Sequence, residues 1–199
     1  FNTYSFFDFD YVERPGSDAL RMTYSTGPAS SVEAAVKIDG INRITAAALG
    51  RFTLMNTDLQ LLGGVTDDKF FTVGTGISGT ISSLSVRGEA TLFAPFRSAA
   101  GESSNIIATL GIDKAFSDKV TTLAQVMYST NPEDLNGFTD LYGGGLTARQ
   151  LAFSKFSAAA QVAWTPLPLV NISLAAIWFP DLDGFYAGPS LDFSLAENT

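Results

Sequence analysis

The 199-residue sequence predicts an all-β chain in which antiparallel strands follow one another in an up-and-down order. Three observations predict this fold class. Apolar residues recur at every second position, tight connections alternate with longer ones, and large aromatic residues lie close to the ends of the predicted strands. The sequence contains no cysteine and no histidine. It therefore excludes disulfides, thiolate and imidazole metal sites, and Ser-His or Cys-His hydrolases.

Strand alternation runs through the whole chain. It is clear in the segment from Ser31 to Ile38, where Val32 and Val36 share one face and Glu33 and Lys37 share the other. A residue pattern of period two places alternate side chains on opposite faces of a sheet, so each such segment predicts a strand that is apolar on one side. In chain order, the eleven predicted strands are 18–25, 31–38, 43–54, 58–66, 70–81, 84–92, 104–115, 119–129, 155–165, 170–178 and 185–195.

The connections between these strands fall into two classes. Short joins are expected at 26–30, 56–57, 82–83, 116–118 and 166–168. Longer or more acidic connections are expected at 39–43, 66–69, 95–103, 130–153 and 180–184. Every second connection is tight, which indicates a meander with turns at one edge and loops at the other.

The hydrophobic residues favour a membrane-spanning barrel over a sandwich. The longest apolar run, Leu174 to Phe179, has six residues, whereas a membrane helix needs about 20. Strand middles are mostly small or aliphatic, and charged residues are absent from the middle of the apolar face, as expected of a lipid-facing barrel wall. A soluble β-sandwich or jelly roll remains the alternative, with strands of about 5–6 residues. The predicted membrane girdle consists of Tyr24, Phe93, Tyr128, Trp164, Trp178 and Phe185.

Three segments resemble porin-like outer-membrane barrels of Bacteroidetes-type bacteria, a group distantly similar to alginate-export-type porins. They are Phe1-Asn-Thr-Tyr-Ser-Phe-Phe-Asp-Phe-Asp10 with the following residues to Arg21, the stretch 166–181, and the tail 188–198. The resemblance implies a passive pore in the bacterial outer membrane, in contact with the lipid bilayer and lipopolysaccharide.

The number of strands predicts that the chain is an internal portion of a longer protein. Bacterial single-chain barrels have even strand numbers, whereas eleven strands are visible here. The 199 residues are expected to form a single barrel domain with 1–17 as a pre-strand segment, although Phe1 to Asp10 could supply a twelfth strand.

The polar side of the predicted strands supplies the candidate pore lining. If the apolar face contacts lipid, the lumen is lined by Arg21, Glu33, Lys37, Arg43, Arg51, Arg87, Glu89, Asp113, Lys155 and Asp192. Guanidinium groups bind carboxylates in a bidentate way, so this mildly cationic lining would select anions. The alternative is that Arg87 and Glu89, and likewise Glu33 and Lys37, belong to ladders of ion pairs across the wall that only fill the barrel.

Three other motifs are weaker candidates. Gly74-Thr-Gly76-Ile-Ser-Gly79 matches a dinucleotide fingerprint, but the following residues continue at period two and no helix is predicted to receive a pyrophosphate. The pairs Asp67-Asp68 and Asp181 with Asp183 are the best divalent-cation candidates, although neither is a complete calcium loop. The connection 130–153 is long enough either to constrict a pore or to remain a surface loop.

These features together predict a channel for passive diffusion of small hydrophilic solutes, with anions as the favoured class. The first alternative is a structural or accessory barrel of a cell-envelope complex with a plugged lumen, in contact with other envelope proteins. The second is a soluble β-sandwich binding module. No catalytic residues and no cofactor are predicted. The formal net charge of −8 also argues against a nucleic-acid partner.

Overall fold

A computed structural model describes residues 19–38, 43–96, 103–132, 152 and 154–194. These residues form one antiparallel sheet of eleven strands, in which each strand pairs with the next along the chain. This confirms the predicted all-β, up-and-down order. The sheet is not closed into a barrel. The strands are β1 (Ala19–Gly27), β2 (Ser30–Ile38), β3 (Ile44–Leu54), β4 (Thr57–Thr66), β5 (Phe70–Ile81), β6 (Leu84–Pro95), β7 (Asn105–Ser117), β8 (Val120–Ser129), β9 (Phe156–Leu167), β10 (Val170–Phe179) and β11 (Gly184–Phe193).

Some sequence-based predictions lie outside the described residues. They are the pre-strand segment 1–17, the possible twelfth strand at Phe1 to Asp10, and nearly all of the connection 130–153. In the part of the chain that the structure describes, no helix is long and apolar enough to cross a membrane.

The two classes of connection lie at opposite edges of the sheet. Two-residue turns join β1 to β2, β3 to β4, β5 to β6, β7 to β8 and β9 to β10, and we call this edge the turn rim. In the β3–β4 turn both residues have positive φ, 48° at Met55 and 65° at Asn56, as in the type I′ turns that match the twist of paired strands. The opposite edge, the loop rim, carries the connections 39–43, 67–69, 96–104, 130–155 and 180–183.

The strand register gives the sheet two chemically different faces. Residues directly opposite each other in neighbouring strands point to the same side. Val32, Gly50 and Leu61 are linked in this way, and we call their side the apolar face. Glu33, Leu49 and Leu62 are linked on the other side, which we call the polar face because it also carries most of the charged strand residues.

Burial on these faces is the reverse of that in a water-soluble sheet. The buried strand side chains are on the polar face: Leu49, Phe70, Thr72, Phe93, Asn105, Ile107, Ser129, Ser157 and Ile177. The apolar face stays open, with Leu20 75% exposed and Leu110 51% exposed. Side chains crowd together on the inside of a curved sheet, so this distribution indicates that the sheet curves around its polar face.

Two adjacent glycines in β4 differ in how closely the neighbouring strand approaches them, so alanine substitutions at these positions test the strand register. A Cβ at Gly64 would overlap Ala46 O and lie 2.8 Å from Ala47 Cα, whereas a Cβ at Gly63 would meet no heavy atom within 4 Å. We expect Gly64→Ala to lower the free energy of unfolding by about 1–3 kcal/mol, because backbone atoms must shift. Gly63→Ala is the control and should be tolerated. Urea unfolding followed by tryptophan fluorescence measures both, and equal stabilities would contradict this register.

Candidate functional site

The polar face collects the charged side chains of the strands. Within the described strands it carries four bases and five acids, namely Arg21, Lys37, Arg51, Arg87, Glu33, Asp58, Glu89, Asp113 and Asp192. Arg43 and Lys155 do not lie in strands but immediately before β3 and β9 at the loop rim. Within the strands the charges of this face are therefore nearly balanced, because two of the six bases of the predicted lining lie at the loop rim and Asp58 adds a fifth acid.

Lys114 is the charged residue that lies on the apolar face in the described strands. It is three residues before the end of β7 at the turn rim, and its Nζ lies 5.1 Å from the centre of the Phe116 ring. A lysine beside an aromatic ring near a strand end keeps its charge away from the middle of the apolar face.

The first ion-pair cluster joins three neighbouring strands. Glu33 Oε2 on β2 lies 2.7 Å from an Arg21 nitrogen on β1 and 3.4 Å from an Arg51 nitrogen on β3. Arg21 is opposite Ala35 and Arg51 is opposite Ser31, so the two side chains reach Glu33 diagonally from opposite directions. The Glu33 side chain is 14% exposed, whereas Arg21 and Arg51 are 62% and 42% exposed. The cluster thus carries one excess positive charge beside an open surface.

The second cluster joins β6 and β7. Arg87 Nη2 lies 3.0 Å from Asp113 Oδ1, and the Arg87 side chain crosses Gly111, where a Cβ would be 3.1 Å from Arg87 Nε. Glu89 lies two residues further along β6, and its Oε2 is buried without a hydrogen-bond partner in the described part of the chain. Both clusters support the interpretation of Glu33 and Arg87 as members of ion pairs across the wall.

Two further acids on the polar face lie close to the turn rim. Asp58, which sequence reasoning did not select, accepts a hydrogen bond of 2.6 Å from Thr53 Oγ1. Asp192 Oδ2 accepts hydrogen bonds of 3.4 Å from Asn171 Nδ2 and Ser190 Oγ. The alternation of β4 was the signal that could have identified Asp58, because Asp58 and Gln60 share the face of Arg51. Both carboxylates therefore add negative charge to this end of the polar face.

Phe93 does not belong to the exposed aromatic residues. It lies on the polar face, is 4% exposed, and forms a buried cluster with Phe70 and Ile107, against which Met127 packs. Phe93 was predicted as a girdle residue because it is close to a strand end. The prediction did not take into account that Phe93 lies an even number of residues from Arg87 and Glu89 and therefore shares their face. Phe93 is thus a packing residue at the loop-rim end of the polar face.

The other five predicted girdle residues lie on the apolar face near strand ends. Tyr24 and Trp164 approach the turn rim, and Tyr128, Trp178 and Phe185 approach the loop rim. Their exposed fractions run from 48% for Trp164 to 72% for Tyr24. The same face carries further exposed aromatic residues close to strand ends: Phe52, Phe71, Phe116 and Phe193.

A hydrogen-bond network fixes the start of the long β8–β9 connection. Asn105 Oδ1, fully buried at the start of β7, accepts hydrogen bonds from Ser129 Oγ at 3.0 Å, Thr130 Oγ1 at 3.1 Å and Asn131 N at 3.0 Å. Three donors on one oxygen hold the chain close to the sheet as it leaves β8. No sequence motif indicates this network, because it depends on the alignment of β7 with β8.

The glycine motif at 74–79 lies within a strand. Gly74 and Gly76 are buried on the polar face of β5, and the strand continues to Ile81 before a two-residue turn. No helix follows this motif in the described chain up to β6. The geometry that a helix N-terminus provides for a pyrophosphate is therefore missing at this position.

The acidic residues at the loop rim bind backbone amides. Lys155 N donates to Asp181 Oδ2 at 2.8 Å and Phe156 N donates to Asp181 Oδ1 at 3.3 Å, while Ile44 N donates to Asp68 Oδ2 at 2.8 Å. Each carboxylate thereby holds the first residues of a strand. Among the residues that the structure describes, no group of three or more acids is arranged to hold a metal ion.

Asp181 should make the loop rim sensitive to acid. The backbone hydrogen bond from Lys155 N is the main cause that lowers the pKa of Asp181 below its usual value. A lowered pKa in the folded state gives stability that is complete above the unfolded-state pKa and is lost as the pH falls through the folded-state pKa. We therefore expect Asp181→Asn to speed hydrogen exchange of the Lys155 and Phe156 amides at neutral pH. In the natural protein the protection of these two amides should fall in acid, and in the variant it should no longer change with pH. Unchanged exchange would contradict this role.

Comparison with protein-family models found no match, and comparison with curated proteins found no significant match.

Proposed function

We propose that the chain forms the wall of a porin-like channel in a bacterial outer membrane, through which small hydrophilic solutes diffuse passively. The observation that carries this proposal is the inverted burial of the sheet. Large apolar side chains are exposed on one face of all eleven described strands, while the buried side chains and all the charged residues of these strands except Lys114 occupy the other. Such a sheet is stable when lipid covers its apolar face and its polar face surrounds a lumen.

Strand length, aromatic residues and rims support the same proposal. The described strands have 9 to 13 residues, and a tilted strand needs about 9–11 to cross a bilayer. Aromatic residues near both strand ends would lie at the two membrane interfaces. Short turns at one rim and longer connections at the other match the periplasmic and extracellular sides of such barrels. The resemblance of residues 1–21, 166–181 and 188–198 to Bacteroidetes porin-like barrels is a further reason for this proposal.

In this proposal the ion-pair clusters set a weak selectivity. Arg21 and Arg51 together exceed Glu33 by one positive charge, whereas Arg87 is balanced by Asp113 and lies near Glu89. Carboxylate solutes would pass close to the two exposed guanidinium groups on β1 and β3, because guanidinium donates two parallel hydrogen bonds to a carboxylate. Neutral solutes would diffuse through the same lumen without binding.

Reconstitution of the full-length protein tests the proposal. We expect liposomes that contain it to swell in small neutral sugars, and planar bilayers to conduct. Reversal potentials in a salt gradient measure selectivity: Glu33→Gln should shift permeability towards anions and Arg51→Gln towards cations, because each changes the lumen by one charge. Absence of both swelling and conductance would remove the channel proposal, whereas identical reversal potentials in the variants would remove the role of this cluster.

A barrel with a filled lumen is the second candidate function. The observation that favours it is the cluster of Phe70, Phe93 and Ile107, because apolar side chains on the polar face would occupy part of the interior. A protein of this kind would be a structural component of the cell envelope. It would insert stably into membranes without permitting solute flux, and so the swelling experiment separates the two candidates.

A further inference from the structure

A groove crosses the apolar face from β7 to β11. Its floor consists of alanines that lie opposite one another in neighbouring strands, because Ala124 of β8 is paired with Ala160 of β9, and Ala160 with Ala176 of β10. Larger side chains form its borders: Leu110, Ile112, Trp178 and Phe185. The groove has a volume of about 400 Å³, which is within the range of pockets that bind small molecules. It therefore leaves room for a hydrocarbon chain to lie against the sheet.

A lysine lies at the turn-rim end of this groove. Lys114 follows Ile112 by two residues on the same face of β7, about 6.6 Å further towards the turn rim. It is the charged residue of the apolar face in the described strands, so no carboxylate of that face neutralises it there. Its flexible side chain can keep the ammonium group at the membrane interface while the methylene groups stay in lipid. The groove thus combines an apolar floor with one positive charge at one end.

The extent of the groove matches one leaflet of a bilayer. Lys114 is level with Leu174 across β8 and β9, and Trp178 lies four residues beyond Leu174 on β10. From Lys114 to Trp178 the face extends about 20 Å, since strands are about 4.8 Å apart and residues rise about 3.3 Å along each strand. One leaflet holds about 15 Å of hydrocarbon, half of the bilayer core. An acyl chain that runs obliquely through one leaflet would fill this path.

We propose that the groove binds one phospholipid molecule of the leaflet at the turn rim, with an acyl chain along the alanine floor and the headgroup phosphate beside Lys114. The proposal rests on the membrane location that the proposed function requires. A phosphate supplies the negative charge that the described part of the apolar face lacks, and a lysine binds phosphate as a point charge. A headgroup with a net negative charge should therefore bind more tightly than a zwitterionic one. The groove would retain this lipid in preference to the surrounding bilayer.

A second copy of the chain fits the groove less well than a phospholipid. Its apolar face would cover Lys114 with apolar side chains, and the described strands of that face offer no carboxylate to pair with the lysine. Burial of an ammonium group without a counter-charge is unfavourable. Charge complementarity therefore favours a lipid phosphate as the occupant.

Quenching of tryptophan fluorescence by brominated phospholipids tests the proposal, because Trp178 borders the groove and Trp164 lies on the same face outside it. The full-length protein is reconstituted in phosphatidylcholine vesicles that contain a minor fraction of brominated phosphatidylglycerol or brominated phosphatidylcholine. Comparison with Trp178→Phe and Trp164→Phe assigns the quenching to each tryptophan. At Trp178 we expect an affinity for phosphatidylglycerol about fivefold higher than for phosphatidylcholine, as for one lysine beside an anionic lipid. Trp164 should show no such preference.

Two variants separate the contributions of charge and shape. Lys114→Gln should remove the preference for phosphatidylglycerol, whereas Lys69→Gln, which removes the same charge at the loop rim, should retain it. Ala160→Leu fills the floor of the groove and should lower the affinity for phosphatidylglycerol at Trp178 to that for phosphatidylcholine. Ala48→Leu is its control and should retain the preference, because Ala48 is an exposed alanine of the same face on β3, outside the groove.

Three results would overturn the proposal. They are equal affinities of the two lipids at Trp178 in the natural protein, a preference that persists in Lys114→Gln, and an equal preference at Trp164. A dimer in sedimentation whose Trp178 is quenched by neither lipid would also overturn it, because a second copy would then occupy the groove.

These outcomes are distinct from solute flux. A protein that conducts without a lipid preference would retain the proposed function and lose this site. A protein that shows the preference but neither swelling nor conductance would retain the site and lose the channel.

Discussion

Replacing Leu110 with arginine is expected to lower the free energy of unfolding from lipid vesicles by about 2–4 kcal/mol. Leu110 lies near the middle of β7 on the apolar face and is 51% exposed. If that face contacts the hydrocarbon core, the guanidinium must enter lipid or distort the bilayer around it. In water the same substitution at an exposed position would have little effect. Denaturant unfolding of the reconstituted protein measures the difference.

Thr109→Arg is the matched control, because Thr109 is the adjacent residue and projects from the polar face. It is directly opposite Glu89, so the new guanidinium would have a carboxylate beside it. We expect this variant to fold and insert with a stability close to that of the natural protein. If Leu110→Arg were tolerated as well as Thr109→Arg, the apolar face would not be in contact with lipid.

Replacing Phe93 with alanine is expected to lower the free energy of unfolding by about 3–5 kcal/mol. The Phe93 ring is 4% exposed and packs with Phe70 and Ile107. Its removal leaves a cavity that two neighbouring strands cannot close, since their spacing is fixed by backbone hydrogen bonds. The loss of stability should be measurable by equilibrium unfolding, followed by the fluorescence of Trp164 and Trp178.

Phe96→Ala provides the comparison, because Phe96 is the same residue type just beyond the end of β6 and is 52% exposed. Removing an exposed ring outside the strands should change stability by about 0.5 kcal/mol or less. If Phe93→Ala cost no more than Phe96→Ala, the cluster on the polar face would not contribute to folding.

Much of the fold follows from local sequence pattern. The period-two alternation predicted eleven strands, and the structure contains eleven within its described residues. The observed strand ends differ from the predicted ones by a few residues. For example, β7 extends to Ser117 and β9 to Leu167, so their turns follow later than the joins predicted at 116–118 and 166–168. The residues of a turn determine the conformation of that turn, but backbone pairing between strands determines where each strand ends.

The candidate site was predicted less well than the strands. Alternation correctly assigned Glu33, Arg51, Arg87 and Asp113 to one face, but it could not name the ion-pair partners across the wall. Residues i and i+2 in a strand are about 6.6 Å apart, whereas neighbouring strands are about 4.8 Å apart. A charged side chain therefore finds its partner more readily across strands, and register decides which partner that is.

The sequence by itself determined the strand order, the two faces and the alternation of turns and loops, because each depends on residues close together in the chain. It also excluded thiol and imidazole chemistry. Only the tertiary structure decided that Glu33 lies between Arg21 and Arg51 and that Phe93 is buried. These features depend on the register between strands, which arises only when distant segments pair.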